Sequence, residues 1–368
     1  MSGRNNSILS QNQYFPNMKH KPHNFTSRKT HCFAAVFAAI ALWIGLSGSL
    51  VAQDDAANPE AKPAEASGFV VTELDALQTL KEVRDRLESL QFLECSLHER
   101  VDLSDLRFYA KGQYAQASGN RVRLQFQMFP IRGVRRDDEA TLKLDGAPED
   151  TGKQKPTGEL IQVSDGNALW SYWKNGDSQR LTRRNIQEIL EAANQAEIFD
   201  SSRMFEDLGA GGLQALLARL ETGMEFGKVR EQVSGDTRLL VISGRWTKES
   251  LQQYFKVTDP AAPRPAWVPD YVRVYIDAEA KLPRRIQYLK KHPNPVVKQV
   301  RPLITLDFRD MTINDSVDES QFHFEAPAGL AELDLTEQTI DAIRKTKTTA
   351  AGADTSTSEP AAAPAKAE

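Results

Sequence analysis

Few residues in this chain join a reactive type to a spacing that chemistry could use. After residue 52 the histidines are His98, His292 and His323, and they lack the paired spacing of a zinc site. Cys95 is the one cysteine in the same stretch. It falls at an apolar strand position, where an inert buried thiol is expected. No G-x-S-x-G elbow, P-loop or dinucleotide fingerprint occurs. Asp and Glu total 50, and spacing singles out none of them as half of an acid–base pair. The basic group Arg132, Arg135 and Arg136 runs straight into Asp137, Asp138 and Glu139, a mixed surface loop. The expectation is no catalytic residue, no metal and no cofactor.

A different chemistry recurs at period two. Val122, Leu124, Phe126 and Met128 alternate with Arg121, Arg123, Gln125 and Gln127, the pattern of a strand with one greasy and one wet face. Leu93 and Leu97, with Cys95 and Val101, repeat it, and so does Phe108 with Leu106, Ala110 and Tyr114. Such a face takes apolar groups out of water, either those of the protein's own core or those of a ligand. Trp170, Tyr172 and Trp173 could rim such a face or simply be favourable strand residues. Leu213, Leu216, Leu217 and Leu220 stand at helical spacing after Gly209, Gly211 and Gly212. They are candidates for a movable lid on a glycine hinge, or for a fixed packed helix. Arg100, Arg121 and Arg123 are candidates for contacting a lid or a polar head group, or for lying on the solvated face.

The elements that must position these residues follow from the same periodicities. Thr72-Glu73-Leu74-Asp75 fits a capping box ahead of Leu74, Leu77, Leu80, Val83, Leu87 and Leu90, one apolar helical stripe. Three alternating strands follow from Phe92, then a charged segment at 131–157. A hairpin is expected across Asp165-Gly166-Asn167, between strands at 159–163 and 168–173. Two helical patterns come next, the first through Ile186, Ile189, Leu190 and Ala193, the second being the leucine helix. Strands resume at 225–233, 237–246, 271–276, 284–289, 303–308 and 322–324, interrupted by proline at 260–269. A last helix spans 336–343. The order predicts a mainly β chain, one antiparallel sheet with helices laid on one face.

Composition, 40% hydrophobic and 26% charged, suits a globular core. A net charge of −4 gives no strong field for nucleic acid or anionic membrane. The first 31 residues hold Arg4, Lys19, Lys21, Arg28 and Lys29 without an acid, and an apolar run reaches Ala52. That is the layout of a secretory signal over 1–52, with Met18 an alternative start. Cleavage near Ala52 and a periplasmic or otherwise exported domain are expected. The alternative is an uncleaved anchor, since the run nears the roughly 20 residues that span a bilayer. Residues 53–71 and 347–368, rich in Ala, Pro, Glu or Thr, read as linker and tail, which leaves a domain over 72–346.

The ordered motifs resemble the LolA-like family of exported proteins, which includes lipoprotein carriers and mycobacterial lipid carriers. The resemblance rests on Asn120-Arg121-Val122-Arg123-Leu124 and on the Asp165-Gly166-Asn167-Ala168-Leu169-Trp170 hairpin. It continues through Leu282-Pro283-Arg284-Arg285-Ile286, Ile304-Thr305-Leu306-Asp307-Phe308 and the run from Asn314 to Pro327, which looks like the family's closing strand. It spans roughly residues 72–330 and departs in added segments at 131–157, 247–269 and 291–300. What it implies is an incomplete antiparallel β-barrel with helices on its concave apolar face. It further implies a carrier of lipid or lipoprotein acyl chains, with Leu93, Leu97, Phe108, Val122, Leu124, Phe126, Met128 and Trp170 lining that face. An interaction or sensor module contacting another envelope protein is the alternative on the same fold.

Overall fold

A computed structural model describes residues 70–353 apart from 104–105, 132–154, 196–210, 260–261, 263, 293, 295, 297–298 and 315. The signal region 1–52 and most of the segments expected at 53–71 and 131–157 lie outside the described residues, as does the tail beyond residue 353.

The described residues open with a short strand, β1 (Val70–Val71), inside the stretch read as linker. Helix α1 (Ala76–Ser89) follows. Its cap corrects the expected box: Asp75, not Thr72, accepts a hydrogen bond from the Gln78 N–H at 2.8 Å. Thr72 turns away and donates to the Val229 carbonyl. Ala76, Leu80, Val83 and Leu87 are buried, while Leu74, ahead of the helix, and Leu77, in its first turn, are exposed.

Six strands then run back and forth: β2 (Phe92–Leu103), β3 (Leu106–Ala117), β4 (Arg121–Pro130), β5 (Gly158–Asp165), β6 (Ala168–Asn175) and β7 (Ser178–Asn185). Gly119 and Asn120, both at positive φ, turn β3 into β4, and Gly166 turns β5 into β6, as the turn residues require. The sequence Ser-Gln-Arg-Leu-Thr-Arg-Arg-Asn hides β7, because it carries too few apolar residues to alternate. Helices α2 (Ile186–Gln195) and α3 (Gly212–Gly223) come next.

The second half adds β8 (Met224–Phe226), β9 (Arg230–Ser234), β10 (Thr237–Trp246), helix α4 (Lys248–Phe255), β11 (Tyr271–Asp277), β12 (Leu282–Lys291) and β13 (Val300–Asn314). The single strand expected at 225–233 is thus two. The segment at 247–269 is not merely added: Leu251, Phe255 and Val268 join the main core. The expected strand at 322–324 is a 3-10 turn, Glu319–Phe322. After it come β14 (Glu332–Asp334) and α5 (Thr336–Ala353), which extends into the stretch read as tail.

All strands join one sheet in the order β1-β9-β10-β11-β12-β13-β2-β3-β4-β5-β6-β7-β14, with β8 beside β10. Pairing is antiparallel except for β14 on β7. The sheet is curved and is not closed into a barrel, and register shifts in β11–β12, β12–β13 and β13–β2 are the irregularities that bend such sheets. The fold is therefore mainly β, an open antiparallel sheet with helices on one face, as expected. Register defines that face across seven strands: Ile242, Val274, Ile286, Leu306, Glu99, Ala110 and Met128 stand side by side. Six are buried apolar residues, and the one on β2, Glu99, is a carboxylic acid.

Candidate functional site

The helix-covered face holds the predicted apolar set together. Leu93, Leu97, Phe108, Val122, Leu124, Phe126 and Met128 all project to it and belong to one core with α1, α3 and α4. None is more than 7% exposed. Helix α3 lies over them with Leu213, Leu216, Leu217 and Leu220 buried, and it is braced to α1 by an Arg84–Glu221 ion pair at 3.0 Å.

The start of α3 is pinned to the sheet. The Leu213 N–H donates to the Tyr114 hydroxyl at 2.8 Å and to Gln116 Oε1 at 3.1 Å. Tyr114 in turn donates to Gln116 Oε1 at 2.6 Å. Burial pushes the Tyr114 phenol well above its ordinary range, so it stays a hydroxyl able to give and take hydrogen bonds. Gly212 sits at φ +60, and a Cβ there would come within 2.5 Å of Tyr114 Oη and 2.7 Å of Gln116 Oε1. Gly212 is thus a close-approach residue that lets the helix touch the sheet, as the fixed-helix reading of the sequence has it rather than the free-hinge reading. Gly209 lies outside the described residues.

Trp170 is misplaced by the sequence reading. Leu160 pairs with Trp173 and Gln162 with Ser171, so Trp173 shares the apolar face and Trp170 points to the opposite side. There it stacks on Phe324 with ring centroids 6.3 Å apart. Alternation fixes parity within a strand but not which parity faces the core, and β6 carries a tryptophan at each parity. Arg121 and Arg123 are also on the outer face. Arg121 pairs with Glu319, and Arg123 donates to the carbonyls of Gln321 and His323. They fasten the C-terminal strap 319–325 across β4 and β5, and do not contact α3. Under that strap runs a half-open groove of about 830 Å³ lined by Glu94, Gln113, Arg123, Gln125, Ile161 and Phe324.

Three features of the helix-covered face escaped the sequence reading. The first is Glu99, 2% exposed between Leu306 and Ala110. Burial alone raises its carboxyl from 4.5 to about 8, so it is mostly neutral at pH 7. The second is an aromatic group at one end, where Trp246 packs edge-on to Phe255 at 5.1 Å and stacks on Tyr288 at 6.5 Å. The Arg219 guanidinium of α3 lies 5.2 Å over the Tyr254 ring beside it. The third is polar and stands at the other end, where Gln162, Ser171 and Thr182 share one row of β5, β6 and β7. Only the pairing registers reveal such a row, because its members stand on three different strands.

Cys95 is buried, and its thiol is raised to about 12 by burial. Among the described residues no group of three or more His, Cys, Asp or Glu is placed to hold a metal ion, and no helix is long and apolar enough to cross a membrane.

No family model matches the chain, and no curated protein matches it. Solved structures similar to it include a conserved protein of Thermus thermophilus, at 9% identity and TM-score 0.36, covering 70% of this chain and 98% of that one. LprF of Mycobacterium bovis is similar at 10% identity and TM-score 0.33, over 66% and 94% of the two chains. The lipoprotein LppX of Mycobacterium tuberculosis is similar at 11% identity and TM-score 0.32, over 66% and 96%. At these scores the likenesses carry no weight for function.

Proposed function

We propose that the protein is an exported, non-enzymatic binding protein or carrier for an amphiphile, a lipid or the acyl chains of a lipoprotein. One observation carries the reading. The apolar face of an open sheet is covered not by a second sheet but by helices, and α3 is held at its start by the three-atom clamp of Tyr114, Gln116 and Leu213. Lifting α3 exposes four leucines, at about 2 kcal/mol each or roughly 8 kcal/mol. A chain of about 16 carbons taking their place buries about 15 methylenes, worth roughly 12 kcal/mol at ~0.8 kcal/mol each. Exchange of a helix for a chain is therefore within reach. Neutral Glu99 in the middle of the face avoids placing a charge against the chain.

The test is native mass spectrometry with lipid extraction on the domain purified from its own envelope. A stoichiometric lipid, lost in Phe126→Glu while circular dichroism stays unchanged, supports the reading. An empty protein that also takes up no fluorescent fatty acid refutes it. A second reading, an interaction module for another envelope protein, is favoured by the outer groove beneath the 319–325 strap. An empty helix-covered face with pull-down of a partner lost on Arg123→Ala would select it.

A further inference from the structure

We propose that Gln162, Ser171 and Arg184, with Arg180 beside them, form a head-group subsite for an anionic amphiphile bearing a phosphate or carboxylate; this rests on the amphiphile-binding reading above. Gln162 is 2% exposed, and neither its amide nitrogen nor its amide oxygen has a hydrogen-bond partner among the described residues. The Ser171 hydroxyl directly opposite it in register is also unpartnered. A buried polar group left unsatisfied costs about 1–3 kcal/mol, so two side chains with three unpaired atoms in one row are not an arrangement that packing favours. They suit a ligand that supplies the missing partners.

The row continues onto β7. Ser171 pairs with Thr182, and the next residues of β7 on the same face are Arg180, opposite Trp173, and Arg184, opposite Leu169. Arg184 is partly buried with no ion pair among the described residues, and burial together with Arg180 lowers its pKa. Two cations on one face, with no acidic partner among the described residues and two neutral donors beside them, match an anion. Arg gives a planar fork of N–H donors, while the Gln amide and the Ser hydroxyl each donate one more bond.

Gln162 pairs with Leu124, and its strand neighbour Leu160 pairs with Phe126 and Trp173. The polar row thus joins the apolar face without a gap. An amphiphile lying along the face would place its chain over Phe126 and Met128 and its head at β5–β7, near the open edge. Arg100, Arg121 and Arg123, which the sequence offered either as head-group contacts or as residues of the solvated face, stand on the other face and do not meet a head group here.

The experiment compares hexadecanoic acid with hexadecanol, each displacing a fluorescent reporter at pH 7.5. The expected result is about tenfold tighter binding of the acid, falling to parity in Arg184→Gln with hexadecanol binding unchanged. Gln162→Met should also lose the preference while raising the melting temperature, because it removes the unpaired amide; a merely structural glutamine would not give that pair of effects. Equal binding of acid and alcohol by the unaltered protein overturns the subsite but leaves the amphiphile reading intact. Binding of neither ligand refutes the amphiphile reading itself. A rise in melting temperature with inorganic phosphate alone, lost in Arg184→Gln and without uptake of either amphiphile, assigns the row to a free anion and overturns the head-group assignment.

Discussion

Substituting Gly212 by alanine separates a lid from a fixed core. The new methyl group would stand 2.5 Å from Tyr114 Oη, 2.7 Å from Gln116 Oε1 and 3.0 Å from Val122 Cγ2. The start of α3 must then move off the sheet, breaking both hydrogen bonds to the Leu213 N–H. Each is worth about 1 kcal/mol net. Holding a non-glycine residue at φ +60 adds roughly 1 kcal/mol. The sum, about 3 kcal/mol, lowers the melting temperature by roughly 6–12 °C in a domain of this size. If binding requires α3 to lift, the unaltered protein already spends those roughly 3 kcal/mol on opening, and the variant does not. Affinity for a fluorescent fatty acid should then rise, by up to about a hundredfold. Tyr114→Phe, which removes one acceptor of the clamp, should move both quantities in the same direction by a smaller step. The assay is reporter titration alongside thermal melting. A lower melting temperature with unchanged or weaker affinity would refute the lid and make α3 an ordinary core helix.

Two further outcomes follow from buried groups. Glu99 has its folded pKa raised from 4.5 to about 8 by burial, so the folded state holds a proton that the unfolded state gives up between those values. Its contribution is fully present below pH 4.5 and is lost as pH rises through about 8, by about 5 kcal/mol at most. Urea midpoints measured at pH 5.5 and pH 9 should show about two thirds of that loss, and Glu99→Gln should flatten the difference; an equal difference in both proteins would count against it. Cys95, with its thiol raised to about 12, should resist a disulfide reagent at pH 8 in the folded protein and react fully in urea. Fast labelling without denaturant would show that the β2 core opens under native conditions.

The strands of the first half were legible because their residues alternate without interruption. Val122, Leu124, Phe126 and Met128 needed no partner to declare a buried face. The leucine helix α3 was equally plain from spacing. Turn residues also spoke for themselves: Gly119-Asn120 and Gly166 take the positive φ that few other residues accept. Strand β7 and the 319–325 strap were not legible, since their order comes from tertiary contacts and not from their own composition. Trp170 shows the same limit at one residue: the tryptophan was visible, its face was not.

By itself, then, the sequence determined a mainly β chain with one apolar face, helices to lie on it, and no motif with a catalytic mechanism. The tertiary structure decided which parity of each strand turns inward, that Gly212 clamps α3 to the sheet, and that Glu99 and Gln162 share the apolar face. The physical reason is that period and turn chemistry are local, encoded within a few residues, whereas register is a pairing of distant segments. Only register brings Gln162, Ser171 and Thr182 into one row or sets Glu99 between Leu306 and Ala110.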